Sequence, residues 1–405
     1  MKYTLLLLLI LLSSCALTPK KLNPEKSFLK IVHYNIKELN TVKLNSESKQ
    51  LASVRAILNR FDSDILSINE IQYDLPNIPN DNFQTEGKNL DTLALKLGRK
   101  DISSVLRPAN TGKNARKRKN GTYHSNFSAK NSRKFADPVN FGIFPAQYST
   151  GALISNKLKI LNVKTINELK WKQFNPKAKI TRFTDASGKK LTNKMELFDK
   201  NFTDILVEKD SIKFHIILLH TVPAFHFGNK KSPNYERNAD QLRFLEWYLT
   251  GSTNIKVGKT NITPLTSKDL FIAIGDWNTE LSNTKNPGSE VLRSLEKKVT
   301  FWLDSSLAEI GHTNESGSFA PRKLQLQLDY IAFSRHFKIR SAGIYHPKEG
   351  RRELGCLEKK EGRDIRSYFD RKQGRTCYAT FSKDYLELKE ASDHFPIWVN
   401  LGLID

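Results

Sequence analysis

Three observations predict a layered α/β fold built around sheets. Short apolar runs of strand length recur along the whole chain, segments with apolar residues at helical spacing lie between them, and long helices are few. The 405 residues supply enough chain for a large core, and 39% apolar with 10% aromatic content is globular rather than disordered. Length alone suggests two or three domains, but a single α/β domain can absorb most of it. No internal repeat or low-complexity tract is present.

Taken in order, Phe28 to Ile36 forms a first strand with Asn35 at its end. Leu51, Val54, Leu58 and Phe61 predict an amphipathic helix over 47–61. Asp64 to Ile71, "DILSINEI", is a second buried strand with Glu70 near its tip, and Gly151 to Ser155 and Leu158 to Val163 resume strand character. Ile212 to His220 is a strand closing on histidine. A helix over 236–250 carries Ala239, Leu242, Leu245 and Leu249 on one face. Leu270 to Ile274 stops at "GDWN", and Gln327 to Phe333 and Phe395 to Leu401 complete the strands. Two stretches break the pattern. Residues 107–138, with "KNARKRKN" at 113–120, and the irregular 165–200 are basic and expected as insertions, the first solvated.

The N-terminus differs from the rest. A lysine and the apolar run Leu5 to Leu12 are too short for a span and fit an export signal. "LSSC" at 12–15 resembles a bacterial lipoprotein lipobox, which implies lipidation of Cys15, a tether over 16–27 and an exported, envelope-anchored protein whose membrane face is open. An uncleaved anchor or a conventional signal is the alternative. Cys356 and Cys377 remain as a possible disulfide, and two thiols alone argue against a metal site. The formal charge of +23 favours polyanions such as nucleic acid or phospholipid headgroups without choosing between them. Lysines spread along the whole chain are equally a general bias. No protein partner is indicated.

One pattern carries chemistry. Polar residues suited to metal or phosphate work sit where strands end: Asn35, Glu70, His220, Asp276 with Asn278, Asp329, and Asp393 with His394. Singly, each is a turn residue or a satisfied core histidine. The ordered set resembles the endonuclease/exonuclease/phosphatase superfamily through Asn35, Glu70, His220, "GDWN" at 275–278, "LDYI" at 328–331 and "SDHFPI" at 392–397. The stretches "NTG" at 110–112, "FGIFPAQYSTGALIS" at 141–155, "HTVPAF" at 220–225 and "RNADQLRF" at 237–244 look like an exported bacterial branch of it. In that branch the loop after "NTG" is acidic and of a type that could hold calcium. Here it is basic, which speaks against a calcium site there.

The resemblance implies one deoxyribonuclease I-like domain over 28–405, a four-layer α/β/β/α sandwich of two packed mixed sheets. It also implies a phosphodiesterase dependent on Mg²⁺ or Mn²⁺ but carries over no substrate; nucleic acid suits the basic charge, a phospholipid headgroup suits the lipid anchor, and a soluble phosphate ester stays open. Glu70, Asn35 and Asp393 would hold the metal, and His220, Asp276, Asn278, Asp329 and His394 would be catalytic, with either His394 or Asp276 as base. Arg237 is a further phosphate ligand by expectation. A non-catalytic polyanion-binding or adhesion lipoprotein on the same fold is the competing reading. Degeneration would be expected to damage the set first, and all six strand tips are chemically competent.

Overall fold

The computed structural model describes residues 28–73, 87–124, 131–252, 254–255, 257–303 and 305–404. The expected signal, Cys15 and the 16–27 tether lie outside the described residues. Strands run in chain order as β1 (Leu29–Leu39), β2 (Ile65–Ile71), β3 (Ile102–Arg107), β4 (Ser149–Ser155), β5 (Lys159–Thr165) and β6 (Phe202–Lys209). Next come β7 (Ile212–Leu219), β8 (Leu270–Asp276), β9 (Thr300–Phe301), β10 (Asn314–Glu315), β11 (Gln325–Leu326) and β12 (Asp329–Phe333). The last are β13 (Phe337–Ile344), β14 (Arg352–Gly355), β15 (Ile365–Asp370), β16 (Arg375–Thr380) and β17 (Ile397–Leu403). The helices are α1 (Thr41–Asn45), α2 (Lys49–Leu58), α3 (Lys88–Lys96), α4 (Trp171–Phe174), α5 (Asn234–Thr250), α6 (Pro287–Glu296), α7 (Ser305–Ile310) and α8 (Lys383–Ala391).

Two six-stranded mixed sheets dominate, ordered β13-β17-β1-β2-β4-β3 and β5-β6-β7-β8-β12-β9. Strand side chains alternate between faces, and the apolar residues sort accordingly. Ile31, Ile65 and Ile154 of the first sheet meet Ile216, Leu218, Ile272 and Ile274 of the second in one core. Their neighbours Val32 and Leu66 pack outward with Leu51, Val54, Leu93 and Leu388 from helices α2, α3 and α8. On the far side, Ile217, Leu219 and Ala273 pack with Leu242, Leu245 and Leu292 from α5 and α6. Three apolar layers separate four layers of secondary structure, so the expected α/β/β/α sandwich is present.

The helices begin where the side chains allow. Ser48 caps α2 by accepting from Leu51 N at 3.1 Å, and Asn286 precedes Pro287 at the start of α6. β1 runs three residues beyond the expected Ile36 through a register shift at Asn35–Leu39, with Lys37 and Glu38 at positive φ.

The two basic stretches carry more apolar packing than their composition suggests. Residues 165–200 are irregular, as expected, and Trp171, Phe174, Ile180, Leu197 and Phe198 are buried in the second sheet's outer core. Apolar residues interspersed among lysines satisfy a core without a regular period. Residues 107–138 likewise include a buried cluster, with Tyr123 and Ala136 packed against Ile143 and Phe144, while Lys113 and 116–119 remain exposed. A small sheet, β14-β16-β15, was not anticipated. Cys356 and Cys377 are joined there by a disulfide.

Candidate active site

Topology brings the strand tips together. β1 and β2 are parallel, as are β7 and β8, so their C-terminal ends share an edge. β12 runs antiparallel to β8 with Asp329 opposite Asp276, and β17 runs antiparallel to β1, so these two strands begin at the same edge. Asn35, Glu70, His220, Asp276, Asp329 and His394 thus converge from both sheets. Gly275 lets β8 approach β7: a Cβ there would stand 1.7 Å from the Leu219 carbonyl oxygen. Glu70 and Asn278 have φ of 62° and 49°, conformations that non-glycine residues adopt at a cost and that gather at functional sites.

Asp276 Oδ2 is the hub. Asn35 Nδ2 donates to it at 3.1 Å and Asn278 Nδ2 at 3.3 Å, while His220 Nε2 lies at 3.4 Å and His394 Nε2 at 3.7 Å. Asn35 Nδ2 also donates to Glu70 Oε1 at 3.2 Å, tying the carboxylate to the hub. Behind His394, Nδ1 meets Asp329 Oδ2 at 2.8 Å. Thr313 Oγ1 donates to that oxygen at 2.7 Å, and His33 Nε2 lies 3.1 Å from Asp329 Oδ1. Asp393 is half-buried beside Lys37, 3.5 Å away. Its charge adds to the raising of Glu70.

The electrostatics separate the groups by role. Burial pushes Glu70 up to about 7, helped by the charges of Glu38 and Asp393. Burial also raises Asp276, against the opposing pull of His394. For Asp329 burial acts upward too, but the imidazoles of His394 and His33 outweigh it and hold the carboxyl well below its ordinary range. Burial alone would lower His394, yet Asp329 and Asp276 lift it to about 10 and keep it an imidazolium. His220 is held far below 6.5 by burial and by the charges of Lys200 and His394, and it stays neutral. Its Nδ1 is buried without a partner.

Among the described residues, Arg237 stands apart from this cluster. It is buried, and its guanidinium donates to Leu197 O at 3.0 Å, Asn140 Oδ1 at 2.7 Å and Glu196 O at 3.0 Å. Those bonds stitch α5 to residues 196–197, where the sequence led us to expect a phosphate ligand. Other participants went unnoticed. Lys200 is 5% exposed, sits on Asp199 at 2.8 Å and Thr221 O at 3.1 Å, and puts an ammonium beside His220. Asn69 Oδ1 accepts from Asp276 N at 2.8 Å. Ser392 Oγ ties Asn35 O to His394 N. His33, behind Asp329, also went unnoticed, although it lies two residues before Asn35 on the same face of β1.

Comparison with known proteins gives no matching family model and no matching curated protein. Solved structures with a similar chain path include the human Nocturnin catalytic domain with bound sulfate (14% identity, TM-score 0.46, 93% of each chain covered). Another is a mannosyl-6-phosphatase of Bacteroides thetaiotaomicron (11%, 0.44, 92% of this chain and 99% of that one). A third is an endonuclease/exonuclease/phosphatase protein of Beutenbergia cavernae (11%, 0.48, 93% and 71%). At such identities, function has to be argued from the side chains themselves.

Proposed function

We propose that this protein is a divalent-metal-dependent phosphoesterase of the endonuclease/exonuclease/phosphatase type, hydrolysing a phosphodiester by in-line attack of water. The observation that carries the reading is Asp276 Oδ2, on which two amides and two imidazoles of opposite protonation converge beside the buried Glu70.

The residues fit a hard cation. Glu70 is a carboxylate raised by burial and by neighbouring negative charge, and its one described side-chain donor is the Asn35 amide. The donor atoms of Glu70, Asp276 and His220 lie within 4.8 Å of one another, and Asn35 and Asp393 would be the further oxygen ligands of a bound Mg²⁺ or Mn²⁺. When bound, such an ion supplies charge neutralisation at a phosphoryl oxygen. The side chains do the rest. Asp276, made more basic by burial, takes the proton of the attacking water at Oδ2. His394, kept charged by Asp329, donates from Nε2 toward the developing negative charge. His220 is neutral and positioned to serve the leaving oxygen. Asn278 Nδ2 donates to Thr221 O at 3.0 Å and to Asp276 Oδ2 at 3.3 Å, and the longer bond is the one it would exchange for a phosphate oxygen.

The exposed basic residues at 113 and 116–119 support a polyanionic substrate, with nucleic acid preferred over a phospholipid headgroup. Among the described residues no helix is long and apolar enough to cross a membrane. Attachment is proposed through lipid on Cys15, in the envelope of a bacterial cell, with residues 28–405 as one catalytic domain. The test is a hydrolysis panel of plasmid DNA, RNA, sphingomyelin, phosphatidylinositol and inositol phosphates, run with wild type beside His394→Ala. Cleavage of one class by wild type alone is expected. Cleavage of none, or equal cleavage by both proteins, overturns the reading.

A further inference from the structure

A second convergence of ligand-type side chains lies outside that centre. His312, Glu315 and His346 each bring a donor atom within 4.8 Å of the other two. His312 Nδ1 is 2.6 Å from the Ile310 carbonyl oxygen, which can only accept, so the ring proton of the neutral imidazole is on Nδ1 and Nε2 carries a lone pair. That Nε2 is buried without a hydrogen-bond partner and lies 3.4 Å from Glu315 Oε2. His346 Nε2 is also buried and unpartnered. His312 is 5% exposed and Glu315 is 0%.

Buried acceptors without donors are rare because their lost hydration has to be replaced. A proton on His312 Nε2 would answer Glu315 and leave His346 orphaned. One cation would answer both unpartnered ring nitrogens, with Glu315 Oε2, which also accepts from Gln325 Nε2, as its third ligand. Two imidazole nitrogens and a carboxylate oxygen with a fourth position open suit a borderline ion such as Zn²⁺, whereas Mg²⁺ prefers oxygen. The carbonyl bond that orients His312 is the usual support behind a metal-bound imidazole.

We propose that His312, Glu315 and His346 form a Zn²⁺ site separate from the phosphoesterase centre. The charges around Glu315 shape its strength. Lys323 at 2.7 Å and Lys389 at 3.4 Å occupy Oε1, where the Tyr385 hydroxyl also donates, and Gln325 Nε2 reaches Oε2 at 3.2 Å. The two ammonium groups repel an incoming cation, so binding is weaker than at an otherwise uncharged site of the same ligands. The position gives the ion a structural role. Glu315 N donates to Asp393 O at 2.8 Å, Asn314 bridges His394, and Thr313 Oγ1 bonds Asp329. Residues 312–315 thus hold the ion on one side and the Asp329–His394 pair on the other.

The test uses the full chain carrying Glu70→Gln, stripped with chelator and titrated with Co²⁺ in excess Mg²⁺, with visible absorption and calorimetric stoichiometry as readouts. One equivalent of Co²⁺ with the strong absorption of a four-coordinate ion is expected, displaced by Zn²⁺. Adding His346→Gln or His312→Gln should weaken binding at least ~10-fold, with near-UV circular dichroism confirming the fold. His346 is half-buried, so His346→Gln decides the matter if the His312 variant does not fold. Absence of bound Co²⁺ in the Glu70→Gln parent, or undiminished binding after His346→Gln, overturns the proposal. Neither result depends on whether the protein hydrolyses a phosphoester.

Discussion

Asp329→Asn isolates the element that keeps His394 charged. The Asp329 carboxylate is fully buried and shares three hydrogen bonds, with His394 Nδ1 at 2.8 Å, His33 Nε2 at 3.1 Å and Thr313 Oγ1 at 2.7 Å. Asparagine keeps the shape but removes the charge, offers one accepting oxygen for two, and turns an NH₂ group toward a donor. Hydrogen bonds to charged groups contribute about 1.5–3 kcal/mol each. Breaking one side of a buried ion pair costs about 3–5 kcal/mol, which sets the expected loss of stability. Urea unfolding of the chelator-treated variant should show this loss with an unchanged slope. Imidazole NMR should show His394 falling from about 10 toward its ordinary 6.5. Turnover should drop about 10²–10⁴-fold as the positive charge is lost. A stability change below about 1 kcal/mol, the scale of an exposed pair, with His394 still charged at neutral pH, would show that Asp329 does not hold the imidazolium.

Three further outcomes follow from the structure. Gly275→Ala places a methyl 1.7 Å from Leu219 O and must separate β7 from β8, so calorimetry should show a large fall in Tm; an unchanged Tm contradicts the packing. The pKa of His394 is raised on folding to about 10, so its stabilisation is complete below its unfolded value near 6.5 and is lost as pH rises through about 10; denaturation midpoints flat across that window would contradict this. Reducing Cys356–Cys377, separated by 21 residues, removes about 3 kcal/mol of loop-closure stabilisation from the β14–β16 sheet, which hydrogen exchange should localise there rather than in the main sheets.

Much of the site was legible because strand ends carry their own punctuation. "DILSINEI", "IILLH" and "FIAIGDWN" each pair a buried run with a polar stop, and the topology then brings those stops to one edge. The sandwich was readable at the level of its strands, since period-two burial distributes Ile31 and Val32, or Ile216 and Ile217, to opposite cores. What stayed hidden lacks a period. Trp171, Phe174 and Phe198 enter the core from irregular backbone rich in lysine, and Lys200 reaches His220 only through the fold. Arg237 misled because an arginine near a helix start reads as exposed, while its actual partners are two backbone carbonyls 40 and 41 residues away and the Asn140 side-chain oxygen 97 residues away. Thr313 and His33 hold Asp329 across separations of 16 and 296 residues, contacts that no local pattern announces.

The central claim is that strand tips from both sheets form one cation-dependent phosphoesterase centre around Asp276. Its most direct test is the rate of bis-p-nitrophenyl phosphate hydrolysis by chelator-treated protein as Mg²⁺ is added back, compared between wild type and Glu70→Gln. Negligible activity without the ion, saturable recovery in wild type and little recovery in the variant are expected. Full activity after exhaustive chelation, or identical Mg²⁺ curves for the two proteins, would contradict it.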